Sequence, residues 1–111
     1  MKGITFRPVF SHHGEDLVIK LSTYGNGNLA ILVTDLHGQP YGTLSVNMPP
    51  YDRLPDGVFF LKDWSENEEV AASFLAQLHE YIEPAIDIPS RESGWIVARA
   101  YRWLPEAQIL G

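Results

Sequence analysis

The sequence predicts an α+β fold, in which an antiparallel β-sheet of about five to six strands packs one face against one main α-helix. Three observations support this prediction. Segments that alternate apolar and polar residues, separated by Gly- and Asn-containing turns, fill the first half of the chain. A single long helical pattern follows them, and one more strand pattern closes the chain. Because one helix cannot cover both faces of so wide a meander, we expect the sheet to curl into a roll, to pair with a second copy, or to leave one face open.

The first half predicts a series of antiparallel strands. Residues 4–7 alternate and form a short first strand that ends at Pro8. Turns at 25–28 and 37–40 then join three strands, which span 17–24, 29–36 and 41–48. Residues 49–57 contain three prolines, each of which removes a backbone donor, so this segment is an irregular connection.

The longest helical pattern follows an apolar strand at 58–61. Ser65 and Glu68 have the spacing of a capping box, in which the serine oxygen accepts from the third helical amide. Pro84 marks the end of the pattern, because a helix interior does not tolerate the lost amide. The apolar positions recur every three or four residues and predict one buried helix face: Val70, Ala71, Phe74, Leu75, Leu78, Tyr81 and Ile82.

A last strand is predicted from Trp95 to about Leu104, after a loop at 83–93, and the tail after Pro105 is expected to fray. Ala98 and Ala100 point to one side and favour close approach of the helix. The other side carries four residues that we call the aromatic–arginine set: Trp95, Arg99, Tyr101 and Trp103. Three roles fit this set: packing in the core, a protein interface that includes a homodimer, or stacking of single-stranded bases.

Composition limits the class of protein. A chain of 111 residues predicts one domain, 1–111, and the absence of cysteine excludes disulfides and thiolate chemistry and fits the cytoplasm. The first residues lack the apolar run of a signal peptide, and no stretch is long enough to cross a membrane. A net charge of −6 argues against a nucleic-acid partner, since such binding depends on Lys and Arg contacts to phosphate.

Acidic residues are concentrated along the predicted helix. Between Asp63 and Asp87 there is no Lys or Arg. Negative charge near a helix C-terminus is unfavourable, so Glu80 and Glu83 lack the electrostatic reason that explains acids in the first turn. We call the following residues the acidic set: Asp63, Glu66, Glu69, Glu80 and Glu83. Two interpretations remain open, a solubilising face and a surface that binds a basic protein partner.

No catalytic signature is present, so the sequence predicts neither an enzyme nor a cofactor. There is no Gly-x-Ser-x-Gly motif and no Gly-rich loop that opens a helix. A weak metal-ligand candidate is the cluster His12, His13, Glu15 and Asp16. Neighbours in sequence rarely point at one centre, so a solvated turn is the favoured interpretation of this cluster.

Three short motifs in the second half carry a resemblance to a known family. They are residues 54–57 (LPDG) before the apolar strand, 62–68 (KDWSENE) at the helix start, and Ser93-Gly94-Trp95 with Tyr101-Arg102 in the closing strand. Together they resemble a family of small domains of unknown function encoded on plasmids, prophages and conjugative elements. The resemblance implies an accessory cytoplasmic protein of a mobile element, and it brings no active site.

These observations lead to two functional hypotheses. The first is a small non-enzymatic protein that binds a host or element-encoded protein through the acidic set, as an anti-CRISPR or antirestriction inhibitor does. The alternative is a nucleic-acid-binding or regulatory module that uses the aromatic–arginine set. They differ in which surface must be exposed.

Overall fold

The strands form three antiparallel sheets in the computed structural model, which describes residues 8–104. Sheet A has the order β1-β2-β3-β4, sheet B the order β5-β6-β10-β7, and β8 pairs with β9 as a hairpin. With one helical segment beside these strands, the predicted α+β class is confirmed. The strands are β1 Val9–His12, β2 Glu15–Thr23, β3 Leu29–Asp35, β4 Pro40–Thr43, β5 Ser45–Val46, β6 Val58–Leu61, β7 Ile82–Pro84, β8 Arg91–Ser93, β9 Ile96–Ala98 and β10 Ala100–Trp103.

The predicted third strand at 41–48 is divided between two sheets. Its first part, β4, pairs with β3, and its second part, β5, pairs with β6. At the division, Leu44 donates its amide to Ile31 and accepts from the amide of Lys62, so its backbone contacts both sheets. The Ile31 amide also donates to Ser45 Oγ at 2.8 Å. The backbone therefore bends at Leu44 and passes from sheet A into sheet B, although the alternation of apolar and polar residues continues through this point. This bend gives the sheet its rolled form.

The helical segment is shorter than predicted. It consists of a 3₁₀ turn at Ser65–Asn67 and α1 at Glu68–Gln77. After a turn, Ile82 and Pro84 belong to β7, where Ile82 pairs with Trp103. Ile82 is buried in the same core as the helix. An apolar residue is therefore required at position 82, and it fits the helical spacing although the backbone there is extended. The expectation that the helix runs to Pro84 was wrong for that reason.

The predicted capping box does not form. Ser65 has a φ of 54° and lies inside the 3₁₀ turn, and neither start of the helical segment has a side-chain cap. Asn67 precedes α1, but its Nδ2 donates to the carbonyls of Thr43 at 2.6 Å and Lys62 at 3.2 Å. This tertiary role, which joins the helix start to β4 and β6, takes the place of a local cap.

The apolar face of α1 packs on β1 and on the inner faces of both sheets. Phe74 is fully buried and makes an edge-on contact with Phe10, with ring centroids 5.9 Å apart. The buried members of this main core are Phe10, Leu17, Ile19, Ile31, Val33, Leu44, Phe59, Leu61, Val70, Ala71, Phe74, Leu78, Ile82 and Trp103. The packing of the helix on strand layers is the arrangement the sequence predicted.

A second core covers the other face of sheet B. It joins Val58, Phe60 and Ala100 of the sheet to Ala98 of the β8–β9 hairpin and to Met48, Leu54 and Ala85. The two alanines therefore pack in this second core, with Met48 and Leu54 of the connection, and not under the helix as predicted. The single closing strand was also wrong, since β9 and β10 belong to different sheets and are separated at Arg99.

Gly57, at the end of the 49–57 connection, allows this segment to approach β10 closely. Its φ is +81°, and a Cβ atom there would lie 2.9 Å from the backbone oxygen of Trp103. The Trp103 amide donates to the Gly57 carbonyl at 2.8 Å. Only glycine combines this φ with this contact.

Four further predictions concern the chain ends, a homodimer and a membrane span. The strand at 4–7 and the tail after Pro105 lie outside the described residues. Sheet B is covered on both sides, so among residues 8–104 the uncovered sheet face is the outer face of sheet A, which carries half-exposed Val9. The dimer itself stays a prediction. Within residues 8–104, no helix has the length and apolar character needed to span a membrane.

Candidate functional site

The acidic set is exposed, as predicted, but the shortened helix divides it in two. Asp63, Glu66 and Glu69 lie at the start of the helical segment, where Glu68 joins them. Glu80 lies in the turn after α1 and Glu83 lies in β7. One continuous acidic helix face, as expected from the sequence, therefore does not exist. We call the first group, with Glu68, the N-terminal acidic group.

Neighbouring basic side chains contact some of these carboxylates. Lys62 donates to Glu66 at 2.9 Å, and this hydrogen bond lowers the pKa of the Glu66 carboxyl. Glu69 lies 3.4 Å from His13 Nε2. At the other end, Arg102 lies 3.8 Å from Glu83 and 3.2 Å from Asp87. Among residues 8–104, no Lys, Arg or His forms an ion pair with Asp63, Glu68 or Glu80.

A cleft of about 270 Å³ opens beside the N-terminal acidic group, between the helix start and β4. Glu66 and Glu69 lie on one side of it, and Tyr41, Gly42 and Thr43 form the opposite wall. The remaining lining residues are His12, Val33, Leu44, Asn67 and Val70. The cleft therefore combines carboxylates, a floor of aliphatic side chains and two polar residues that are almost fully buried.

The missing side chain of Gly42 accounts for the open space. Gly42 pairs with Val33 in the β3–β4 ladder, and paired residues in an antiparallel sheet project to the same face. That face is the interior one, because Val33 is only 2% exposed. A Cβ atom on Gly42 would meet no atom within 4 Å. A larger residue at this position would cover Val33 and fill the cleft.

Two nearly buried residues that line the cleft each have one side-chain polar atom without a hydrogen-bond partner among the described residues. His12 is 8% exposed and Asn67 is 7% exposed. His12 Nδ1 lies 2.8 Å from Ser73 Oγ, which leaves Nε2 without a hydrogen-bond partner among the described residues. Asn67 uses its Nδ2 as described, and no described residue donates to its Oδ1. Because no buried side-chain polar atom of residues 8–104 lacks a partner, both free atoms keep some exposure to solvent, and both residues line the cleft.

The four candidate metal ligands are not brought together. The rings of His12 and His13 make an edge-on contact at 4.0 Å between centroids, and each histidine contacts a helix residue, Ser73 or Glu69. Glu15 and Asp16 are exposed in β2. Within residues 8–104, no group of three or more His, Asp or Glu side chains is disposed to hold a metal ion.

The aromatic–arginine set does not form one surface. Trp103 is 2% exposed in the main core, where it stacks on Tyr81, and half-buried Tyr101 stacks on Phe59. Trp95 is fully exposed at the tip of the β8–β9 hairpin, and Arg99 is exposed between β9 and β10. Core packing is thus the outcome for two of the four residues. Nucleic-acid binding stays a prediction, with only Trp95 and Arg99 left to support it.

Several cleft residues were not singled out by the sequence. Gly42 and Thr43 looked like ordinary strand residues, and Asn67 looked like part of a helix start. A glycine inside an alternating strand does mark a place where something else approaches or where space is left. That signal pointed to Gly42, but the helix that faces it comes from a distant part of the sequence.

The comparisons with known proteins identify no relative. No protein-family model matches the chain, and neither the curated proteins nor the solved structures contain a significant match. The resemblance to mobile-element domains therefore stays a prediction, and the class of protein is defined by its α+β fold and its acidic cleft.

Proposed function

We propose that this protein is non-enzymatic and acts by binding another protein that presents a basic surface. The N-terminal acidic group is the contact region in this proposal. The observation that supports it is the exposure of four carboxylates within residues 63–69, of which Asp63 and Glu68 form no ion pair with a described residue. Such a surface attracts a basic partner over a distance and repels acidic ones.

The partner we propose is a host or mobile-element protein in the cytoplasm. The more specific form of the proposal is inhibition of a nucleic-acid-cleaving defence enzyme, of the CRISPR or restriction type. Such enzymes hold nucleic acid in positively charged channels, which an acidic protein surface can occupy. The resemblance of the second half to mobile-element domains motivates this choice.

The test compares two variants with equal changes in charge. The acidic-group variant neutralises the N-terminal acidic group by replacing Glu66, Glu68 and Glu69 with Gln and Asp63 with Asn. The control neutralises four acids elsewhere, Glu15, Asp16, Asp56 and Glu92. A partner is captured from host lysate by the wild type, purified, and titrated by calorimetry at several salt concentrations. We expect affinity to fall steeply with salt and to fall at least tenfold in the acidic-group variant, with a smaller change in the control.

Two results would contradict the proposal. One is affinity that is independent of salt, since contacts between exposed charges are screened over about 10 Å at 0.1 M salt. The other is an equal loss in both variants, which would attribute binding to net charge and not to the helix start.

A further inference from the structure

We infer that the cleft beside the N-terminal acidic group is a binding site for one alkylammonium or guanidinium group on an aliphatic stem. In the context of the proposed function, on which the source of this group depends, it is the side chain of a Lys or Arg residue of the basic partner. The cleft thus supplies the specific contact, and the surrounding carboxylates supply the attraction.

The shape and the base of the cleft suit the stem of such a side chain. Val33, Leu44 and Val70 contribute aliphatic surface, and Gly42 leaves the space above Val33 open. Lys and Arg bury their methylene groups along apolar surface while their charged ends stay among polar groups. An aliphatic stem is therefore stabilised where a compact inorganic cation is not.

Four residues of the cleft offer acceptor atoms, which suits a cationic donor. Glu66 and Glu69 are carboxylates, and Glu66 binds Lys62 through Oε1. Asn67 offers its free Oδ1 as an acceptor. When His12 donates from Nδ1 to Ser73 Oγ, its Nε2 becomes an acceptor also. An ammonium has three N–H donors and no acceptor, so these groups complement it.

The same atoms disfavour other ligands. A phosphate or carboxylate ligand would face Glu66 and Glu69 and would be repelled. A divalent ion lacks a set of ligands, since the described residues offer no metal-binding group of three. The acceptor atoms of His12 and Asn67 belong to side chains that are more than nine-tenths buried, so they are held in place before a ligand arrives.

The first experiment uses a small probe and needs no partner. Nα-acetyl-lysine amide is titrated into the ¹⁵N-labelled protein, and amide chemical shifts are followed by NMR. We expect saturable shifts at residues 41–44 and 66–70, and none with the uncharged analogue Nα-acetyl-norleucine amide. A butylguanidinium titration distinguishes an arginine-like from a lysine-like preference.

Two pairs of matched variants then locate the site. Gly42→Leu fills the cleft without changing charge and should weaken probe binding at least tenfold, whereas Gly25→Leu, at another glycine with open space, should leave it unchanged. Glu69→Gln removes a cleft carboxylate and should weaken binding several-fold, whereas Glu68→Gln removes its exposed neighbour outside the cleft. If Gly42→Leu does not fold, the comparison of Glu69→Gln with Glu68→Gln still tests the cleft site, because equal effects of the two substitutions on probe binding would contradict it.

The outcomes separate this inference from the proposed function. Probe shifts that spread over all exposed carboxylates and persist in Gly42→Leu would overturn the cleft site. If the partner loses affinity in the acidic-group variant but not in Gly42→Leu, the inference fails and the proposed function stands. If the probe binds in the cleft while the partner ignores both variants, the site is real but the proposed function fails, and its ligand is a free amine.

Discussion

His12 Nδ1 lies 2.8 Å from Ser73 Oγ, a contact that joins the end of β1 to the middle of α1 across 61 positions of the sequence. It engages one ring nitrogen of His12, a residue that lines the cleft, and leaves Nε2 without a partner among the described residues. The contact turns a histidine that looked like part of a solvated turn into a nearly buried residue of the candidate site.

Ser73→Ala removes the partner of this buried imidazole. We expect the free energy of unfolding to fall by about 1 kcal/mol, because the lost hydrogen bond outweighs the higher helix propensity of alanine. Chemical denaturation gives the value. Ser90→Ala, at an exposed position, is the control and should change stability by less than about 0.5 kcal/mol. Equal effects in the two variants would show that the contact is not formed.

Trp103→Ala and Trp95→Ala test how the aromatic–arginine set is divided. Trp103 is 2% exposed, so its truncation should cost about 3–5 kcal/mol or prevent folding. Trp95 is fully exposed, so Trp95→Ala should leave the unfolding midpoint in urea almost unchanged. A large loss for Trp95 would mean that the hairpin tip packs against something.

Asn28 joins the β2–β3 turn to the 52–54 connection. It is 2% exposed, donates to the Asp52 carbonyl at 2.8 Å and accepts from the Leu54 amide at 2.7 Å. Asn28→Ala leaves both backbone groups unpaired and should cost at least about 2 kcal/mol by calorimetric unfolding. Asn28→Asp keeps the acceptor but places a second acceptor against the Asp52 carbonyl, so it should not rescue stability. A rescue by Asp would argue that the Asp52 contact contributes nothing.

Gly57→Ala tests the close approach of the connection to β10. Gly38→Ala is the matched control, since Gly38 has a φ of +82° but a Cβ atom added there would meet nothing within 4 Å. The control should cost about 1 kcal/mol from backbone strain. Gly57→Ala should cost about 1–3 kcal/mol more, because the new methyl group meets the Trp103 oxygen. Thermal unfolding of both variants measures the difference.

The Asp52–Arg91 pair predicts a dependence of stability on pH. The hydrogen bond from Arg91, together with its positive charge, lowers the pKa of Asp52 below its ordinary value of 3.8. A carboxyl with a lowered folded-state pKa stabilises the fold above its unfolded pKa, and this contribution is lost as pH falls through the folded pKa. The melting temperature of Asp52→Asn should thus lie below that of the wild type at pH 7, and the two should converge below about pH 4. In an Arg91→Gln background the difference at pH 7 should shrink.

The amino-acid sequence by itself determined the class of fold, the turns of sheet A and the buried face of the helix. These depend on local periods and on the residues that turns require, which any stretch of chain carries within itself. The exposure of the acidic set was also determined locally, because charged side chains without partners remain in water. The sequence did not determine the end of the helix, because an apolar residue such as Ile82 fits both the helical period and the strand period.

Only the tertiary structure decided where long patterns are divided between sheets and which face each strand presents. Leu44 and Arg99 are positions where an unbroken alternating pattern passes from one sheet to another, and periodicity holds no information about such corners. The cleft depends on Gly42 facing a helix whose start is held by Asn67, and on His12 meeting Ser73. Contacts between residues far apart in sequence create this site, so no local pattern could have revealed it.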